Sequence, residues 1–128
     1  EEYSLKPGAG RFEIGTTNPA PYAALSASID LLDSVGLDTV ESHIGDLARQ
    51  FVADVPDGRL VSPRNPESGL VTVHVDDPES TVESLREEYG TVVRSLPAPE
   101  GAVRASLHVY NTPEDVERLL AGLHDVAW

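Results

Sequence analysis

Residues 91–110 read TVVRSLPAPEGAVRASLHVY, and the period of this stretch decides the fold. Two runs, 91–96 and 102–110, alternate in the manner of half-buried strands. Pro97-Ala98-Pro99-Glu100-Gly101 joins them with turn chemistry of hairpin length, so the strands are expected to be antiparallel. Working back from the hairpin, residues 70–75 (LVTVHV) form another alternating, β-branched run, and 59–62 is a short strand candidate. A Pro- and Ser-rich loop at 62–69 separates these two.

Helical periods surround the strands. Leu37, Val40, Ile44, Leu47, Phe51 and Val55 make one continuous apolar stripe at spacings of 3 and 4 residues. The preceding segment, 20–35, places Leu25, Ile29 and Leu32 among four alanines, with Asp30 and Asp33 its only charges. Such a helix is expected to be packed on both faces, with Gly36 ending it. Asp77-Pro78 supplies an N-cap and a first-turn proline for a short helix carrying Val82, Leu85 and Tyr89. Thr112-Pro113-Glu114-Asp115 is a capping-box variant opening a final helix whose inner face is Val116, Leu119, Leu120 and Leu123. The expected fold is α+β, a small three- to four-stranded, largely antiparallel sheet with helices on one face. Residues 1–19, broken by Pro7, Gly8, Gly10, Gly15, Asn18 and Pro19, read as an irregular strap leading in from another domain, and 20–128 as the domain itself. The chain opens Glu1-Glu2 without an initiator Met, as expected of a piece of something longer.

Composition narrows the function. The 128 residues carry 22 Asp plus Glu against nine Lys plus Arg, a net charge of −13. That balance argues against nucleic acid, whose phosphates need Lys and Arg to displace counterions. The absence of Cys removes disulfides, thiolate metal sites and a cysteine nucleophile from this chain. No apolar run approaches the roughly 20 residues of a membrane-spanning helix. The charge fits either an acidic cytoplasmic protein kept dispersed by self-repulsion, or adaptation to high salt, where screening relieves that repulsion.

Few side chains point to chemistry. The four histidines, His43, His74, His108 and His124, show no metal-ligand spacing, and Asp77 of the Asp76-Asp77 pair is already used as a helix cap. No metal site is expected. Arg94 and Arg104 are more informative, because each lies in an apolar strand with no acid beside it in sequence. A guanidinium there is costly unless it meets a carboxylate, phosphate or cavity. It either forms a salt bridge to one of the chain's own acids or serves as a fork for a substrate carboxylate.

Residues 104–116 (RASLHVYNTPEDV) resemble the R-x-S-x-x-x-Y-N-T-x-E-[ED]-[VI]-[DE] signature of the class V aminotransferase family, which includes cysteine desulfurases and selenocysteine lyases. Residues 11–18 (RFEIGTTN) are similar to that family's R-F-E-x-G-T-x-N segment, and 90–94 (GTVVR) to its G-I-x-V-R strand. The resemblance implies the C-terminal small domain of a pyridoxal-phosphate enzyme, cytoplasmic and homodimeric in its full length, acting on an amino acid. By position it implies that Arg104 holds the substrate α-carboxylate with Arg94 contributing, and that Thr16, beside Gly15, contacts the cofactor phosphate of the neighbouring subunit. It assigns no catalytic residue to this chain. Lys6, the only lysine, stands next to Pro7 in the strap, so the lysine that holds the cofactor is expected upstream, and the fragment alone is expected to be inactive. Desulfurases of this family carry their nucleophilic Cys in the loop between the two arginine strands. Here that loop has none, so an aminotransferase, lyase or epimerase fits better than a persulfide-forming enzyme. The alternative is a free-standing α+β module that binds small carboxylates or a protein partner without a cofactor.

One consequence of the charge is testable directly. Screening reaches about 30 Å at 0.01 M salt and about 3 Å at 1 M, so repulsion among the acids is strongest in dilute buffer. The melting temperature is expected to rise from dilute buffer to molar potassium chloride. A steady fall would mean that specific ion pairs outweigh the repulsion.

Overall fold

A computed structural model describes residues 4–13, 15 and 18–128. In order they form a single 3-10 turn (Gly8–Phe12), α1 (Pro19–Val35), α2 (Leu37–Ala53), β1 (Leu70–His74), α3 (Pro78–Tyr89), β2 (Arg94–Leu96), β3 (Ala102–Ser106) and α4 (Pro113–Val126). The chain divides into two compact units, Glu1–Val35 and Gly36–Trp128.

In the first unit the 3-10 turn is closed by Arg11, whose Nε donates to the Gly8 carbonyl at 2.9 Å. Asn18 Oδ1 accepts from the backbone N–H of Ala20 at the start of α1. The helix forms where its pattern predicts, but none of its residues is buried. Apart from the 3-10 turn the unit contains no other regular element among its described residues, so it offers Leu25 and Ile29 no second apolar layer.

The second unit is built on a three-stranded antiparallel sheet in the order β1-β3-β2. Alternation gives the sheet two unlike faces. Val71, Val73, Val103 and Ala105 are buried on the helix-covered side. Leu70, Thr72, His74, Arg104 and Ser106 alternate with them on the other. α4 packs against both α2 and α3, while α2 reaches β1 and α3 reaches β2 and β3. Phe51, Leu47, Leu85, Leu123 and Val116 fill the space between sheet and helices. This is the α+β architecture the sequence predicts.

The caps follow their chemistry. Asp77 accepts from the N–H groups of Glu79 and Ser80, and Gly90 ends α3 in the left-handed region at φ 62°, a conformation glycine adopts without penalty. Thr112 and Asp115 bond reciprocally in a full capping box. Backbone N–H donation from Thr112, then the Asn111 amide, holds the Asp115 carboxyl below the ordinary aspartate value.

Other boundaries differ from the periodic pattern, each for a local reason. The α2 stripe is buried only in its C-terminal half, where Ala48 and Val52 join Leu47, Phe51 and Val55 in the core, and Leu37 is exposed. Residues 59–62 form one bridge, Leu60 to Val73, and no strand. There the Ser62 hydroxyl, in place of a backbone carbonyl, accepts from Thr72 N–H at 2.9 Å. β2 begins only at Arg94, since Thr91 N–H is turned back to the Leu85 carbonyl at the end of α3. β3 stops at Ser106 because Asn111 closes a turn on His108, its Oδ1 accepting from the His108 N–H and its N–H donating to the His108 carbonyl.

Gly69 fixes where β1 starts. Its carbonyl accepts from Leu107 N–H at 2.8 Å, and a Cβ built on it would collide with the Leu107 carbonyl and with Ile44. The collision is with backbone, which cannot swing away. Gly69→Ala is therefore expected to destabilise the protein by about 1–3 kcal/mol, the usual cost of overpacking, measured by urea unfolding. An unchanged midpoint would show that the two segments separate freely.

Candidate functional site

Strand register decides what the bare face of the sheet presents. Arg104 pairs with Thr72 of β1 on one side and with Arg94 of β2 on the other. Residues directly opposite in antiparallel strands share a face, with Cβ atoms about 4.5–5.5 Å apart. Thr72, Arg104 and Arg94 thus form one row across the sheet. The next row is His74, Ala102 and Leu96, and Ser106 lies opposite Leu70. None of these is an acid, so the strands provide this face with two guanidiniums and no carboxylate.

The electrostatics of the two arginines stand apart from those of their neighbours. Arg49, Arg59, Arg64 and Arg118 each meet an aspartate, at 2.6, 2.7, 2.5 and 3.3 Å. Neither Arg94 nor Arg104 has an ion pair among the described residues. Arg104 is half-buried, and its Nε is a buried donor without a hydrogen-bond partner. Arg94 is exposed. A donor left unpaired in this way carries a desolvation cost, and like charges directly opposite in a sheet add to it.

The remaining polar residues have structural partners. The His43 ring bonds the Asn111 carbonyl through Nε2 at 2.9 Å, and His74 Nδ1 lies 3.2 Å from the Gly101 carbonyl. His108 stacks on Tyr110 and His124 meets Trp128 edge-on. No group of three His, Asp or Glu able to hold a metal exists among the described residues. No described helix is long and apolar enough to cross a membrane. A cleft of about 290 Å³ lies between the residues after Gly90, Ser106 and the start of α4, with Asp115 and Arg118 in its wall. Neither Arg94 nor Arg104 lines it.

Of the other residues singled out in the sequence, Gly15 belongs to the first unit, exposed and at φ 96°. Glycine adopts that backbone conformation without penalty. Thr16 lies outside the described residues. The sequence assigns no role to Thr72 or Ser106. Alternation alone places them on one face with an arginine, but only the register sets Thr72 opposite Arg104.

Comparison with known proteins identifies the class to which this geometry belongs. The model of the class-V aminotransferases matches residues 1–119, and the chain belongs to that family. Its relatives there are of the cysteine desulfurase type. It is 31% identical over 144 residues to the "Probable cysteine desulfurase" of Methanothermobacter thermautotrophicus, covering 98% of this chain and 36% of the relative. It is 36% identical over 127 residues to the cysteine desulfurase of Salmonella agona, covering 88% and 31%. The chain therefore spans about a third of the length of the curated relatives it matches. Among solved structures it superimposes on a cystine C–S lyase in complex with its reaction product cysteine persulfide, with a TM-score of 0.80 and 26% identity over 98% of this chain and 34% of the lyase. The cysteine desulfurase of Escherichia coli aligns with a TM-score of 0.73 and 25% identity over 98% and 36%.

The family depends on pyridoxal phosphate, and a variant of the same lyase has glycine covalently linked to that cofactor. The residues of this chain fit one side of such chemistry. Arg104, with its orphaned Nε, and the neighbouring Arg94 suit the carboxylate of an amino acid. Lys6, exposed in the irregular first unit, is poorly placed to hold the cofactor covalently.

Proposed function

We propose that this chain is the C-terminal small domain of a longer pyridoxal-phosphate enzyme acting on an amino acid, and that its bare sheet face binds the substrate carboxylate. In this reading residues 1–19 are the strap from the large domain and 20–128 the small domain. The single observation that carries the reading is the row Thr72–Arg104–Arg94, two guanidiniums without an ion pair among the described residues of a chain that has 22 acids.

When bound, pyridoxal phosphate supplies the electron sink for bonds broken at the α-carbon of the substrate. This chain supplies position. Arg104 takes the α-carboxylate through two parallel hydrogen bonds, a geometry its planar fork favours over a lysine's point charge. The Thr72 hydroxyl flanks it from β1, and Arg94 adds positive potential from β2. Because Arg104 is half-buried in a sheet whose other face is core, the bound carboxylate is held by a rigid element, which orients the rest of the amino acid. Gly15 and Thr16 contact the cofactor phosphate of the neighbouring subunit in a homodimer, through backbone N–H and hydroxyl.

We place the reaction among the aminotransferase, lyase and epimerase types. β2 and β3 are joined by residues 97–101, PAPEG, and the chain contains no thiol to accept sulfur. Likeness to a cystine C–S lyase, which has cysteine persulfide as its product, supports a lyase in which any persulfide formed leaves as a small molecule.

In the full-length holoenzyme, Arg104→Ala is expected to weaken substrate capture by about 2–5 kcal/mol, the scale for removing one partner of a buried charge pair. The visible absorbance of the cofactor should be preserved, because Arg104 is assigned to substrate. Steady-state kinetics with an α-amino acid provide the check. An unchanged kcat/KM would remove Arg104 from the site.

A further inference from the structure

Of the four described α-helices, α1 alone buries no residue. Its sequence is not that of a solvated helix. At 3.6 residues per turn, Leu31, Val35, Leu32, Leu25, Ile29 and Tyr22 follow one another around about 180° of its circumference. A helix resting on one surface needs a stripe of roughly 100°, so this arc is wide enough for contact on two sides. The opposite side carries Asp30 and Asp33, the only charges of the helix. Five of the arc residues, Tyr22, Leu25, Ile29, Leu31 and Val35, stand between 45 and 65% exposed. α2 has the same length of 17 residues, yet it carries Asp38, Glu41, Asp46 and Arg49 and buries four side chains. In a chain with 22 acids, a contiguous uncharged and exposed arc marks a surface that another body covers.

The surroundings of the chain point to that body. The chain spans about a third of the length of its curated relatives, and in the functional reading above the remainder includes a large domain joined to α1 through residues 1–19. A domain tethered so closely is present at an effective concentration of the order of millimolar, above that of a second copy free in dilute solution. An arc without charge also suits a permanent apolar contact better than a transient one. We propose that α1 is the seat of the upstream large domain, whose apolar surface packs on Leu25, Ile29, Leu31 and Val35 within the same polypeptide. The assignment rests on the functional reading, which supplies the large domain, and adds the surface by which this chain holds it.

The test uses the full-length holoenzyme with Leu25→Cys, Leu31→Cys and, on the polar side, Asp30→Cys, one at a time. Residues 1–128 contain no cysteine, so the peptide spanning α1 carries only the introduced thiol, and its reaction with a maleimide is followed by mass spectrometry. Thiols at 25 and 31 are expected to react at least about ten-fold more slowly than the thiol at 30, a protection that one buried leucine suffices to supply. A photo-reactive benzoylphenylalanine at position 25 then identifies the occupant. Cross-links within one polypeptide to peptides upstream of this chain support the proposal. Three thiols of equal reactivity, cross-links that produce only dimers, or cross-links confined to residues 36–128 would each overturn it. Cofactor absorbance is read on every sample. A protein that carries the cofactor and gives one of those results overturns this proposal alone, whereas a full-length protein that binds no pyridoxal phosphate overturns the functional reading and this proposal with it.

Discussion

The antiparallel pairing of β3 with strands on both sides is the constraint on which everything else in the second unit depends. A strand has a side-chain period of two, so a slip of one residue exchanges its faces completely. In the observed register Val103 and Ala105 are buried with Val71 and Val73, and Arg104 is on the opposite face between Thr72 and Arg94. Slipped by one, the guanidinium would enter the apolar core and the valine would leave it. The hydrophobic core therefore fixes the position of the arginine as firmly as any direct contact with it. Main-chain bonds at both ends of the sheet, Leu107 N–H to the Gly69 carbonyl and Val75 N–H to the Gly101 carbonyl, hold the same register.

The helical layer serves that register. α4 begins at a capping box and buries Val116, Leu119, Leu120 and Leu123, while Asn111 just before it ends the preceding turn on His108. The Tyr110-Asn111-Thr112 segment is thus a structural junction. It converts the strand that carries Arg104 into the helix that covers the other side of the sheet. A cation on one face and its support on the other are encoded within twenty residues, 104–123.

Much of this was legible in the sequence, because local chemistry dictated it. The Asp77 and Thr112 caps, the Gly90 stop, the inner face of α4 and the hairpin around 97–101 all follow from residues a few positions apart. What was not legible depends on distant partners. The Ser62 hydroxyl interrupts the 59–62 strand only because Thr72 lies beside it. The burial of Ala48 and Val52 depends on what covers α2, and the exposure of α1 on the absence of a second apolar layer among the described residues of its own unit. For the site, an arginine in each of two apolar strands stood out by composition. That they are direct partners, with Thr72 completing the row, is a matter of register, which alternation alone leaves undetermined by a residue or two.

The central claim is that the bare sheet face receives the substrate carboxylate, and it is tested most directly by a crystal structure of the holoenzyme with a non-reacting α-amino acid analogue bound. The account predicts both carboxylate oxygens within hydrogen-bond distance of the Arg104 guanidinium. An analogue bound elsewhere, with Arg104 paired to an aspartate or glutamate of the protein, would contradict it.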